Sequence, residues 1–202
     1  MKQKTCQWCR EPFTPARSLQ KVCAPLCASR LVESKADKKR AKEKAAEARR
    51  DREKRIALKT IPELKKEAQI AFNAYIRARD RLAGHPCICC GRPLDWGRLG
   101  GAVDAGHYRS TGSADHLRFH EDNCHAQRAD CNRYGAGRAV DYRIGLLSRI
   151  GRERVDAIEA DNATHKWTRE ELISIRDEYR AKARAIAKPS PDSGAQLGAC
   201  AI

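Results

Sequence analysis

Ten cysteines in a chain of 202 residues, most of them in two close-spaced groups, constrain this sequence more than any other feature. Only 5% of the residues are aromatic and 41% are hydrophobic, too few for one large, dense core. Such a chain has to build part of its structure on something other than buried side chains. No stretch approaches the ~18 apolar residues of a membrane span, and the N-terminus is polar rather than signal-like. An intracellular, cytoplasmic protein with no membrane contact is therefore expected. In that compartment clustered cysteines read as metal ligands before disulfides, which remain the lesser alternative.

The first group is Cys6, Cys9, Cys23 and Cys27. Two close pairs across a short loop can set four thiolates around one tetrahedral zinc ion, and in a module of under 30 residues with almost no core that ion can supply most of the folding free energy. Trp8 and Phe13 are read as covering the metal. The second group opens with Cys87-Ile88-Cys89-Cys90, in which Cys87 and Cys90 have the CxxC spacing and Gly91 suits the tight turn. Cys131 returns some tens of residues later, but the partner position of a second CxxC is Arg128, which cannot ligate zinc. Either Cys124, the favoured substitute, or Cys89 supplies the fourth ligand, or the site is three-liganded or lost. One or two structural zinc ions are expected.

Four regions follow one another: a zinc knuckle (1–29), a basic helical arm (30–59), a domain carrying the chemistry with flanking helices (60–188), and a disordered tail (189–202). The arm holds 13 Lys or Arg against 6 Asp or Glu, without Pro or Gly, a composition that favours a solvated helix. Thr60 with Glu63 and Thr168 with Glu171 form capping boxes. The first precedes Leu64, Ala68, Phe72, Tyr75 and Leu82, and the second precedes Leu172, Ile175, Tyr179 and Ala183, both at helical spacing. Val140, Ile144, Leu147 and Ile150 suggest a further helix stopped by Gly151. The expected class is mostly α with a small α+β core.

Residues 85–138 are dense in Cys, His, Asn and Gly. Asp104-Ala105-Gly106-His107 reads as an extended stretch, and Leu117-Arg118-Phe119-His120 as a second strand. Asn123 follows His107 after fifteen residues, and Asn132 follows after eight more. This spacing resembles the HNH nuclease pattern, two strands and a helix gripping one divalent cation. The chemistry suits the residue types: a neutral imidazole takes a proton from water near pH 7, and a hard cation neutralises charge developing on a phosphate. His107 is assigned as general base and Asn123 as the residue orienting it. Asn132 and Asp104 are the expected ligands of a catalytic Mg²⁺ or Mn²⁺. Gly106 stands where the pattern has its first ligand, and alternation puts residue 104 on the same face. His125 is a rival ligand.

The formal charge of +15 points to a polyanionic partner. Lys38, Lys39, Arg40, Arg49, Arg50 and Arg109 are the candidate DNA contacts. The chain up to about Lys188 resembles the NinG proteins of lambdoid phages, also called Rap. The resemblance rests on Thr60 to Tyr75, Asp104 to Arg109, Leu117 to Asn132 and Tyr142 to Gly151, together with the four-cysteine knuckle and the basic arm. It implies a structure-specific endonuclease of phage recombination, acting on D-loops and Holliday junctions in the cytoplasm of a bacterial host. Symmetric junction cutting needs two active sites, which is compatible with a homodimer. A non-catalytic zinc protein that binds DNA is the alternative. Arg128 departs from the family pattern, which has cysteine there.

Overall fold

The computed structural model describes residues 2–97 and 101–188, and the tail expected to be disordered lies outside them. The chain divides into two compact units, Met1–Lys59 and Thr60–Ile202. Among the described residues these units are built of helices and two small antiparallel sheets, each of two strands.

In the first unit β1 (Lys4–Thr5) pairs with β2 (Pro12–Phe13), and helix α1 (Pro25–Leu58) follows. Pro25 occupies the start of the helix, where a missing N–H costs nothing. Cys27 lies in the first turn, so the expected boundary after residue 29 falls inside a continuous helix. No residue of α1 is buried. Backbone propensity and exposed pairs such as Arg49–Glu53, 3.1 Å apart, are what support it. At 1.5 Å per residue it is a rod of about 50 Å.

The second unit runs α2 (Ile61–Leu82), β3 (Val103–His107), β4 (Cys124–Arg128), α3 (Ala139–Ile150), α4 (Arg152–Ala160) and α5 (Arg169–Ala187). Both capping boxes form: the Thr60 and Thr168 hydroxyls each accept from the backbone N–H three residues on, and Glu63 and Glu171 reach back. Helices α2 and α5 then zip together through Leu64, Ala68, Phe72, Ile76, Leu172 and Tyr179. Phe72 meets Tyr179 edge-on, with ring centroids 4.9 Å apart. Strands β3 and β4 pair antiparallel, with Ala105 opposite Ala126 and His107 opposite Cys124. Ala105 and Cys124 face the α2–α5 core. By strand alternation Asp104, Gly106, His125 and Gln127 lie on the other face.

A second core joins Ile88 to Tyr142, Leu146 and Val155. Here Gly145 is required by close approach: a Cβ on it would lie 1.8 Å from the Ile88 carbonyl oxygen. That contact seats α3 directly on the backbone of the second cysteine group.

Two expectations are corrected. Residues Leu117 to His120 are not a strand; Asp115–Leu117 is a short helical turn, and the partner of β3 is Cys124–Arg128. Leu117 packs with Ala114 and Ile158, whereas Phe119 packs with Phe72, so their alternation serves two separate cores. On α3 the buried face is Tyr142 and Leu146, while Val140 and Ile144 are exposed. Among the described residues no helix is long and apolar enough to cross a membrane.

Candidate functional site

The two cysteine groups fold the same way at their first pair. The Arg10 N–H donates to the Cys6 carbonyl and the Cys6 N–H to the Glu11 carbonyl; Gly91, Cys87 and Arg92 repeat both bonds. Each turn needs a left-handed residue, Arg10 at φ 67° in one and Gly91 at φ 67° in the other. Cys6, Cys9, Cys23 and Cys27 bring their sulfurs within 4.8 Å of one another, and so do Cys87, Cys89, Cys90 and Cys131. Neighbouring sulfurs sit 3.6 Å apart at Cys9–Cys23, and 3.5 Å at Cys23–Cys27 and at Cys87–Cys89. Two ligands on a tetrahedral zinc with ~2.3 Å bonds are about 3.8 Å apart, so both sets fit that ion.

The fourth sulfur of the second set is therefore Cys89, and the expectation of Cys124 is corrected. Cys124 is fully buried in the main core, where burial pushes its thiol pKa up and keeps it neutral. Arg128 does not spoil the set. Its guanidinium turns away to Asp130, 2.9 Å off, and its backbone N–H donates to the Cys87 sulfur at 3.3 Å. The Gln127 amide donates to the Cys89 sulfur at 3.3 Å and to the Gly137 carbonyl at 3.0 Å. Such N–H donors orient metal ligands from behind.

Near this set, β3 and the loop after it carry the remaining candidates. His107 Nε2 lies 2.9 Å from the Arg118 carbonyl oxygen. A carbonyl only accepts, so Nε2 is the N–H nitrogen and Nδ1 carries the lone pair. Burial holds the imidazole pKa below its ordinary value, which keeps the ring neutral at pH 7. The Cys124 sulfur is 3.7 Å from Nδ1, a weak partner. Asn123, completely buried, closes the loop: its Oδ1 accepts from the Arg109 N–H at 2.8 Å, and its Nδ2 donates to the Arg109 and Leu117 carbonyls at 3.0 and 3.2 Å. One side chain thus pins both ends of the segment next to His107.

His107 and Asn132 line a common cavity of about 310 Å³ with Tyr108, Ser110 and Thr111. Asn132 also reaches Asp104, its Nδ2 donating to Oδ2 at 3.0 Å. Asp104 is simultaneously gripped by Arg133 through bonds of 2.8 and 2.7 Å. Burial would raise the Asp104 pKa, but these donors outweigh it and hold the carboxylate ionised. A carboxylate and an amide oxygen are a donor set suited to a hard cation that keeps most of its own water, such as Mg²⁺. An ion there would compete with Arg133 for Asp104.

His125, the rival ligand, is placed elsewhere. Its Nδ1 is 3.0 Å from Arg79 Nη2 and its Nε2 is 3.2 Å from the Asp122 carbonyl, so both nitrogens are engaged. It belongs to a buried charge cluster around Asp80, which also accepts from the Ala126 N–H at 2.6 Å and lies 3.6 Å from Arg149.

The candidate DNA contacts divide. Lys38, Lys39, Arg40, Arg49 and Arg50 all stand exposed on α1. Arg109 is corrected: its guanidinium binds the Ile158 and Asp161 carbonyls and the Asn162 side chain, capping the end of α4. The role of Gln127 escaped the sequence, because a lone glutamine beside cysteines carries no spacing signal.

Comparison with known proteins gives one consistent answer. Residues 1–189 match the family described as Bacteriophage Lambda NinG protein. The chain is 43% identical to Protein ninG of Escherichia phage lambda, covering 88% of this chain and 89% of that one. It is 42% identical to Protein ninG of Salmonella phage P22, over 88% and 90% of the two chains. The corresponding protein of Escherichia phage 933W is 41% identical, over 91% and 94%. No solved structure matches the chain.

Proposed function

This chain belongs to the NinG family of bacteriophage proteins, and from that premise we propose that it is a metal-dependent endonuclease cutting branched DNA. The supporting observation is the cavity shared by His107 and Asn132, with Asn123 clamping the loop beside it. A neutral imidazole takes a proton from water once its Nδ1 turns from the Cys124 sulfur to the cavity, and the arrested loop holds the strand end that carries the ring. Bound at Asp104 and Asn132, a Mg²⁺ ion would supply charge neutralisation at the phosphate. Residues of the exposed basic helix contact phosphates without reading bases, which suits recognition by shape. Zinc in the two cysteine sets is structural, since four sulfurs leave no open position.

A second function is favoured by one observation, the Arg133 grip on Asp104: a zinc-containing DNA-binding accessory protein without catalysis. Incubation of the full-length protein with a labelled four-way junction and a linear duplex, with Mg²⁺ supplied or withheld, separates the two. We expect Mg²⁺-dependent cutting of the junction that falls by about 10²–10⁴-fold in His107→Ala. Junction binding without cutting under Mg²⁺ or Mn²⁺ would eliminate the nuclease and leave the accessory protein.

A further inference from the structure

A cavity of about 730 Å³ in the second unit is separate from the one that holds His107. It opens at the C-terminal ends of α2 and α5, between Arg77, Arg81, Trp96, Val103 and Ile186. Its volume is that of a small-ligand pocket. Arg77 and Arg81 are four residues apart and so share one face of α2. Arg79, between them, is engaged with Asp80 at 2.8 Å, whereas neither Arg77 nor Arg81 has a carboxylate within 4 Å among the described residues. The Arg81 guanidinium lies instead 5.9 Å from the centroid of the Trp96 ring. Leu82, Val103 and Ile186 supply apolar wall.

An aromatic plane, two arginines that form no close ion pair and an apolar wall, with the Asp95 carboxylate also on the lining, suit a flat heterocycle joined to phosphate. Val103 carries the chain from this cavity directly into Asp104, and the Arg77 charge acts on that carboxylate. The cavity therefore borders the proposed catalytic strand.

We propose that this cavity receives one unpaired nucleotide of a DNA strand, the base against Trp96 and the phosphates on Arg77 and Arg81. The proposal rests on the branched-DNA function above, because a branched intermediate with a displaced strand, such as a D-loop, offers unpaired bases. It adds a means of telling a junction from a linear duplex that the basic helix, which meets only phosphates, does not provide.

The test uses binding alone, so it does not depend on catalysis. Fluorescence anisotropy of the full-length protein would be followed with labelled octathymidylate and with a linear duplex of equal charge, no divalent ion being added. Trp96→Ala should weaken octathymidylate binding by about tenfold, the worth of one base stack. Trp96→Phe should retain most of it, and the duplex affinity of both variants should stay within about twofold of wild type. Arg77→Ala with Arg81→Ala should weaken the single strand and steepen no duplex loss beyond that of two surface charges. No measurable octathymidylate binding by the wild type, equal binding by Trp96→Ala, or equal losses on both DNAs would each overturn the proposal. Thermal melting of each variant confirms that it is folded. Failure of the nuclease assignment shows up separately, as a junction that is bound but not cut under Mg²⁺ or Mn²⁺.

Discussion

At the scale of single residues, two side chains decide how the proposed site behaves. Gly106 faces Gln127, whose Oε1 would lie 2.0 Å from any Cβ placed there. Gln127 is completely buried and committed to Cys89 and Gly137, so it has little room to yield. Gly106→Ala is expected to cost about 1–3 kcal/mol in urea unfolding. A carboxylate introduced at 106, where the HNH pattern has a ligand, would meet the same obstruction. Arg133 is half exposed and holds Asp104 at 2.7 Å. A surface pair of this kind is worth at most about 1 kcal/mol. Arg133→Ala should therefore lower the Mg²⁺ concentration for half-maximal cutting by about two- to fivefold, and an unchanged titration would remove Asp104 from the metal site. Spacing and residue type picked out His107 and Asn123 as candidates, and Asn123 bonds the loop next to His107. The engagement of Arg109 could not be read that way, because its partners lie about fifty residues away at the end of α4.

At the scale of elements, the capped helices were the legible part. A Thr with Glu three residues on, followed by an apolar stripe, names α2 and α5 because capping and burial agree there. Strand β4 was illegible, since Cys124–Arg128 has little strand propensity and is extended only because β3 and Asp80 pair its backbone. Leu117 and Phe119 imitate a strand because two cores claim alternate residues. The second zinc set failed a spacing argument for a related reason. CxxC counting looks for pairs, whereas Cys87, Cys89 and Cys90 give three ligands from one turn. Native mass measurement should find two zinc ions in the wild type and in Cys124→Ala, but one in Cys89→Ser. The joint between α2 and β4 also carries a pH dependence. Burial lowers the pKa of His125, as it does that of His107, although Asp80 pulls the His125 value partly back up. The unfolded chain thus binds protons at pH values where these rings do not, so stability falls as pH drops from 6.5 toward their folded values. Urea midpoints compared at pH 7.5 and 5.5 should be lower at the acid value, and replacing His125 with Gln should flatten the difference.

For the whole molecule, electrostatics sets the expected behaviour. A charge of +15, concentrated partly on an exposed helix, implies binding that weakens steeply and linearly in log–log plots against salt. Substituting Lys38, Lys39, Arg49 and Arg50 by Gln should reduce that slope by about 3 to 4 and weaken junction and duplex alike. A slope unchanged by these substitutions would place the phosphate contacts elsewhere. Composition alone points toward a polyanionic partner. It did not disclose which cations are used internally, and Arg79, Arg109, Arg149 and Arg176 all turn out to be bound within the fold.

Helix α1 runs without a break from the cysteine turn at Cys27 to Leu58. Along duplex DNA, with one phosphate per 3.4 Å on each strand, a rod of that length covers about fifteen base pairs. Nuclease-protection footprints should accordingly extend for more than one helical turn of DNA on the side that the rod occupies. Shortening α1 by whole helical turns should trim that protected length in steps, the result expected of an arm that acts as a molecular ruler as well as a source of charge.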